Sequence, residues 1–138
     1  MRPFDSQLRE VGSFSPRGAR ILSLYLRTNP AAVDTAAVME ELHGVVRGLR
    51  LSLEDTDRGQ LEEDLAAVRD YIGSMVAPPP AVAIFTCAPR RFFRVVRLPL
   101  DVVPAVYWSD EAVTAPLLDA VHRADQVFGA DLRETAPL

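Results

Sequence analysis

The side chains able to do covalent or acid–base chemistry are few and lie apart. Cys87 is the chain's single cysteine. It closes a nearly all-apolar run, residues 81–87, where a thiol is held neutral and inert. One cysteine cannot form an intrachain disulfide. His43 and His122 fall in different segments, neither with another His or Cys at metal-ligand spacing. Asp55-x-Asp57-x-Gly59 opens like a calcium loop. Its glycine comes one position early, however, and Ala66 stands where the bidentate glutamate belongs. All 15 basic residues are arginine, so Schiff-base and phosphate-loop lysine chemistry is excluded. The seven glycines are scattered singly. There is no glycine-rich phosphate cradle and no Gly-x-Ser-x-Gly elbow. No cofactor, metal or catalytic set is expected.

Two charged groupings remain. Arg90, Arg91, Arg94 and Arg97 interleave with Phe92 and Phe93, the mixture a single-strand nucleic-acid surface uses: cations for the backbone and ring faces for bases. A solvated strand face with one or two core phenylalanines has the same letters. Arg90, Arg91 and Arg94 are the phosphate-contact candidates, with Arg17 and Arg20 beside them. Between Glu54 and Asp64 stand six acids against Arg58 alone. Glu54, Asp55 and Asp57 are the candidates for contact with a basic protein patch. Glu62, Glu63 and Asp64 read as a solvated first helical turn.

The elements that must carry these residues follow from periodicity. Leu8 and Val11 predict a short helix over 6–14, and Ser15-Pro16-Arg17-Gly18 is a turn. Ile21, Leu22, Leu24, Tyr25 and Leu26 predict a strand covered on both faces. Asn29 and Pro30 suit the start of a helix. Val38, Leu42, Val45 and Leu49 form one helical stripe; Leu61, Leu65, Val68, Ile72 and Met75 form another. The polar stretch 52–59 separates them, giving an antiparallel helical hairpin. Pro78-Pro79-Pro80 stops the second helix. Strands follow at 81–87, 93–98 and 104–108. Ser109 then reads as the N-cap of a last helix, with Leu117, Leu118, Val121 and Val127 facing inward. The tail, 130–138, is expected to fray. The order α-β-αα-β-β-β-α predicts a layered α/β sandwich: a four-stranded mixed sheet with helices on both faces, in a single domain over 1–138.

At 138 residues, 49% hydrophobic and 25% charged, the chain has enough apolar material for one core without staples. Disordered and low-complexity classes are excluded. A net charge of −4 argues against strong non-specific nucleic-acid binding across the whole surface. The first ten residues lack a signal core, and the longest apolar run is too short for a bilayer, so a cytoplasmic location is expected.

Several segments, taken in order, resemble the N-terminal domain of the archaeo-eukaryotic peptide chain release factors, most of all their bacterial relatives. The likeness runs from about 17 to 121. Gly18-Ala19-Arg20-Ile21-Leu22-Ser23-Leu24 resembles the family's Gly-Thr-Ser loop and first strand, keeping Gly18, Ser23 and Leu24. The helical hairpin lies where the family has one, and Ala81-Val82-Ala83-Ile84-Phe85 resembles its second strand. Tyr107-Trp108-Ser109-Asp110 resembles the Tyr-x-Cys-Asp segment, keeping Tyr107 and Asp110, and precedes a helix with Pro116-Leu117-Leu118. The hairpin has no Asn-Ile-Lys-Ser, and the chain no Gly-Gly-Gln. The resemblance therefore implies a non-catalytic domain that engages the ribosome or ribosomal RNA in termination, rescue or hibernation. Tyr107 and Asp110 join the RNA-contact candidates on that basis. The domain is either free-standing or joined to other domains of a longer chain. The alternative is a scaffold module that keeps the fold without RNA binding and uses the acidic hairpin.

Overall fold

In the computed structural model, which describes residues 5–28 and 35–126, one antiparallel sheet is sandwiched between two helical layers. The elements are α1 (Asp5–Ser13), β1 (Ile21–Arg27), α2 (Thr35–Ser52), α3 (Asp55–Gly73), β2 (Ala81–Cys87), β3 (Phe92–Leu98), β4 (Ala105–Ser109) and α4 (Ala115–Ala124). A 3₁₀ turn, Ala88–Arg90, joins β2 to β3.

The strand order is β3-β2-β1-β4. β1 and β2 are central, which is why both read as continuous apolar runs and are almost wholly buried. The period of two divides their side chains between two cores. Ile21, Tyr25, Ala83, Phe85 and Val96 pack with Val11 of α1 and with Leu117, Ala120 and Val121 of α4. Leu22, Leu24, Leu26, Val82 and Ile84 pack with Leu42 and Val46 of α2 and Leu61, Leu65, Val68 and Ile72 of α3.

Every strand pair is antiparallel, which corrects the expectation of a mixed sheet. A single crossover helix would bring the chain back to the start of the next strand and make it parallel. Two antiparallel helices, α2 and α3, bring it back to the far end instead. The link from β3 to β4 then crosses the end of the sheet from one edge to the other. Its six residues reach about 20 Å when extended, enough for three strand spacings of about 4.8 Å.

Three boundaries move. The hairpin connection is only Leu53 and Glu54, because Asp55 and Asp57 lie inside the first turn of α3, where carboxylates favour the positive helix end. Asp55-x-Asp57-x-Gly59 is therefore helix and not a loop. Ser109 ends β4, its hydroxyl donating to the Glu111 carbonyl at 2.6 Å, and α4 starts only at Ala115. The cause is a backbone clasp. Ser23 Oγ accepts from Val113 N–H at 2.9 Å, and Tyr25 Oη donates to Val113 C=O at 2.6 Å. These bonds draw the connection back over β1 before the helix begins. Leu118 is 51% exposed and does not face inward. The expected helix start at Asn29 and Pro30, Val127 and the tail 130–138 lie outside the described residues.

Candidate nucleic-acid interface

The arginines do not form one patch. Arg90 turns back across the sheet end, its Nε donating to the Pro16 carbonyl at 2.9 Å and its Nη2 to the Arg17 carbonyl. It holds the turn before β1 and is committed to that task. Arg94 lies on the α1 side of β3. Its Nε is 2.6 Å from Glu10 of α1 and its guanidinium sits 4.8 Å above the Phe92 ring. Arg97 donates to the Ala77 carbonyl, towards the other end of β3. Phe92 is buried and stacks on Phe14, while Phe93 packs into the hairpin core beside Tyr71. Neither ring is offered to a base. Arg94 is thereby withdrawn as a free cation, and the aromatic interleaving is core packing.

What the fold does assemble is a smaller group. Arg17 precedes β1 by a turn, Arg20 by one residue, and Arg91 follows the 3₁₀ turn. β1 and β2 pair Leu22 with Thr86, and β1 and β4 pair Ile21 with Ser109. One register step further, Arg20 lies between Ala88 and Asp110. The bonds from Arg90 bring the Arg17 backbone to the same place. Arg17, Arg20 and Arg91 are exposed, and among the described residues their side chains have no ion pair. Two of them have left-handed backbones, Arg17 at φ 46° and Arg91 at φ 53°, with Gly18 at φ 88°. Left-handed backbone costs a side-chain-bearing residue roughly 1–2 kcal/mol, and here the Arg90 guanidinium helps to hold it.

Tyr107 is half-buried, its ring edge-on to Tyr25 at 6.3 Å, so it belongs to the margin of the core. Asp110 is exposed at the sheet end. It lines a polar groove of about 370 Å³ with Gly12, Phe14, Ser15 and Glu111. The acidic tip is partly neutralised: Asp55 pairs with Arg58 at 3.6 Å and Glu62 with Arg50 at 2.9 Å. Glu54, Asp57 and Glu63 have no ion partner among the described residues. Gln60 bonds to the Arg20 backbone. Five residues of helix, about 7–8 Å, therefore carry Asp55 out beyond the sheet end.

Asp64 is the residue that composition hides. It is fully buried, not solvated. Its Oδ1 accepts from Thr86 Oγ1 at 3.1 Å and Ala88 N–H at 2.7 Å, and its Oδ2 accepts from Gln60 Nε2 at 3.1 Å. Burial pushes its carboxyl up to about 6 despite these three donors. The signal was in the spacing: Leu61, Asp64 and Val68 stand at i, i+3 and i+7, on one helix face. Cys87 is buried, and burial raises its thiol. His43 and His122 are exposed on helices covering opposite faces of the sheet. Among the described residues no three His, Cys, Asp or Glu side chains converge as metal ligands. No described helix is long and apolar enough to cross a membrane.

This fold recurs in an archaeal translation termination factor. The chain superposes on aRF1 with a TM-score of 0.59 and 19% identity, covering 84% of this chain and 33% of that one. A structure described only as an archaeal protein matches equally, with TM-score 0.59, 20% identity, and 84% and 34% coverage. The chain thus spans about a third of the length of each. No family model and no curated protein matches the sequence. The release-factor-like fold expected from the ordered segments is the fold found.

Proposed function

We propose that this chain is a non-catalytic docking domain of the release-factor type, of the bacterial branch, acting in the cytoplasm in termination, rescue or hibernation. Its ligand is ribosomal RNA, gripped through backbone phosphates by Arg17, Arg20 and Arg91. Any hydrolytic chemistry belongs to other domains or other proteins. One observation carries the reading: three exposed arginines, without ion partners among the described residues and two of them on left-handed turns, gather at one end of a sheet whose fold a termination factor shares. Arginine suits this task because its planar fork binds phosphate oxygens bidentately.

The test is co-sedimentation with ribosomes at low and moderate salt, comparing wild type with Arg17→Gly/Arg91→Gly. Glycine accepts the left-handed backbone, so this variant removes charge without damaging the turn. Binding that weakens with salt, and weakens further in the variant, supports the reading. Absence of binding at both salts, or equal binding by the variant, rejects it.

A further inference from the structure

We infer that the outer edge of β4 is a self-pairing interface: two copies of this chain join antiparallel, β4 to β4, about a two-fold axis at Tyr107, and the flank of α2 that carries Gly44 and Gly48 closes over the joint. The inference goes beyond the docking reading above and does not rest on it.

The backbone decides which groups are free. Thr28 N–H donates to Pro80 C=O at 3.0 Å, extending the register of β1 on β2. Backbone groups alternate in direction along a strand. Those of Leu22, Leu24 and Leu26 therefore face β2, and those of Ile21, Ser23 and Tyr25 face β4. Their partners Ser109, Tyr107 and Ala105 are spent on β1. The N–H and C=O of Val106 and Trp108 point off the edge, with no backbone partner among the described residues. β4 has no charged residue to guard that edge. The opposite edge is guarded. By the same alternation Phe93 and Val95 point off β3, and their carbonyls accept from Arg94 Nη1 at 2.9 Å and Gln7 Nε2 at 3.4 Å. A β4-to-β3 contact between copies would build an open fibre, and β3 is blunted against it; a β4-to-β4 contact closes on itself.

Electrostatic complementarity selects the register. With Tyr107 opposite Tyr107, Val106 of each copy faces Trp108 of the other as a pair that exchanges both bonds. Every outward N–H then meets a carbonyl. Moving the axis to Val106 sets Trp108 against Pro104, which has no N–H. Moving it to Trp108 carries Val106 past the strand end to Asp110. The side chains agree: Val106 and Trp108 both lie on the hairpin face and pair as β-branched against aromatic. Like charges stay apart. The register carries Asp110 and Glu111 of one copy to Pro104 and Val103 of the other, an end of mixed sign where Arg27 and Arg123 stand beside Asp101 and Asp119.

The helix above the joint is shaped for the same partner. α2 lies over both β1 and β4. Arg50 pairs with Glu62 of α3, whereas Glu41 accepts from Arg27 N–H at 2.8 Å. From Glu41 to Arg50 is about two and a half turns, so Glu41 marks the flank of α2 opposite α3, over the β4 edge. Ala37, Gly44 and Gly48 stand within about 60° of Glu41 around the helix. Both glycines are exposed, and a Cβ on either would meet nothing within 4 Å. Each weakens the helix, and nothing inside one copy explains them; a second helix laid against that flank does. An α2 axis midway over β1 and β4 lies about one strand spacing from the two-fold, which sets the two α2 axes about 10 Å apart, a helix-packing distance. The strand and this flank offer about a dozen residues a side, roughly half a standard interface, so the dimer is weak, with a Kd on the order of 10–100 µM.

The experiment is sedimentation velocity of the intact chain from about 5 to about 500 µM, a range bracketing that Kd. The mass should rise from 15.2 kDa towards twice that value, with no larger species. Val106→Pro removes an outward N–H and costs the monomer no ladder bond. Gly44→Gln/Gly48→Gln fills the flank and favours the helix. Each should weaken the dimer at least about tenfold, the loss expected for a bond left unmade, and the glycine variant should also raise Tm. Tyr107→Cys should oxidise to a disulfide-linked dimer, because directly opposed residues that exchange no backbone bonds hold their Cα atoms about 4.5 Å apart. Ala105→Cys, which faces Ser109, should not. A monomer at every concentration overturns the proposal and leaves the edge to an extended segment of another protein. A dimer unmoved by both variants, or one cross-linked by Ala105→Cys and not by Tyr107→Cys, overturns it as well, and assemblies that keep growing overturn its closure. Should Val106→Pro fail to fold, the glycine variant, which displaces nothing in the monomer, decides.

Discussion

Arg90 and Arg91 are adjacent and chemically identical, yet the fold gives them opposite duties. Arg90 supplies charge-assisted bonds to two carbonyls of the turn before β1, whereas Arg91 leaves its charge to solvent. Arg90→Ala should therefore cost about 1–2 kcal/mol of stability and weaken ribosome binding indirectly. Arg91→Gly should leave stability level or slightly raised, because it relieves a left-handed φ of 53°. Urea denaturation of the two variants separates these outcomes; equal losses would show that the two arginines share one role. Asp64 makes a second residue-scale prediction, whose sign follows from linkage. Its folded carboxyl, near 6, lies above the ordinary 3.8. Between these values the folded state holds the extra proton, so stability contributed by Asp64 is full below about pH 4 and is lost as pH rises through about 6. The ceiling is on the order of 3 kcal/mol. Asp64→Asn should flatten this part of the pH–stability curve; an unchanged slope in the variant would assign it to another group. None of these distinctions can be read from residue types. Arg90, Arg91 and Arg94 carry the same letter, and only chain geometry shows that one is bonded to carbonyls, one is exposed and one is ion-paired.

At the scale of elements, periodicity foretells most of what forms, because burial on one face leaves a repeating trace. β1, β2 and the stripes of α2 and α3 are legible in that way, down to Leu42, Leu61, Leu65, Val68 and Ile72. Strand direction leaves no such trace: a buried parallel strand and a buried central antiparallel strand have the same run of letters. The start of α4 was also out of reach, because Ser109 has the credentials of an N-cap while two residues far away in sequence decide otherwise. Ser23 and Tyr25 grip Val113 from β1, and that grip sets where Asp110 stands relative to Arg20. Ser23→Ala should strand the buried-side N–H of Val113, and Tyr25→Phe its carbonyl, each costing about 1–3 kcal/mol. Hydrogen exchange should localise the added opening to residues 110–114 in both variants. Opening spread evenly over the sheet would mean that the clasp supports the core and does not place the connection.

Across the whole molecule the decisive feature is the unevenness of charge. The chain is acidic overall, at −4, but the sheet end presents Arg17, Arg20 and Arg91 between two acidic borders. One is the hairpin with Glu54, Asp57 and Glu63; the other is the Asp110–Glu111 groove. A phosphate approaching the arginines must pass these borders, and each repels it over a Debye length of roughly 8–10 Å. Docking should therefore be narrow in the number of phosphates engaged and steep in its response to the borders. With three arginines available, the logarithm of affinity should fall with the logarithm of salt at a slope of about −2, taking roughly 0.7 per phosphate on single-stranded RNA. Removing Arg17 and Arg91 should reduce that slope by about 1.4. Replacing Glu54 and Asp57 with Gln and Asn should move affinity in the other direction, raising it at low salt and leaving it unchanged at high salt. If the tip instead seeks a basic protein patch, the same neutralisation weakens capture of the partner, so the direction of the change tells the two uses of the hairpin apart.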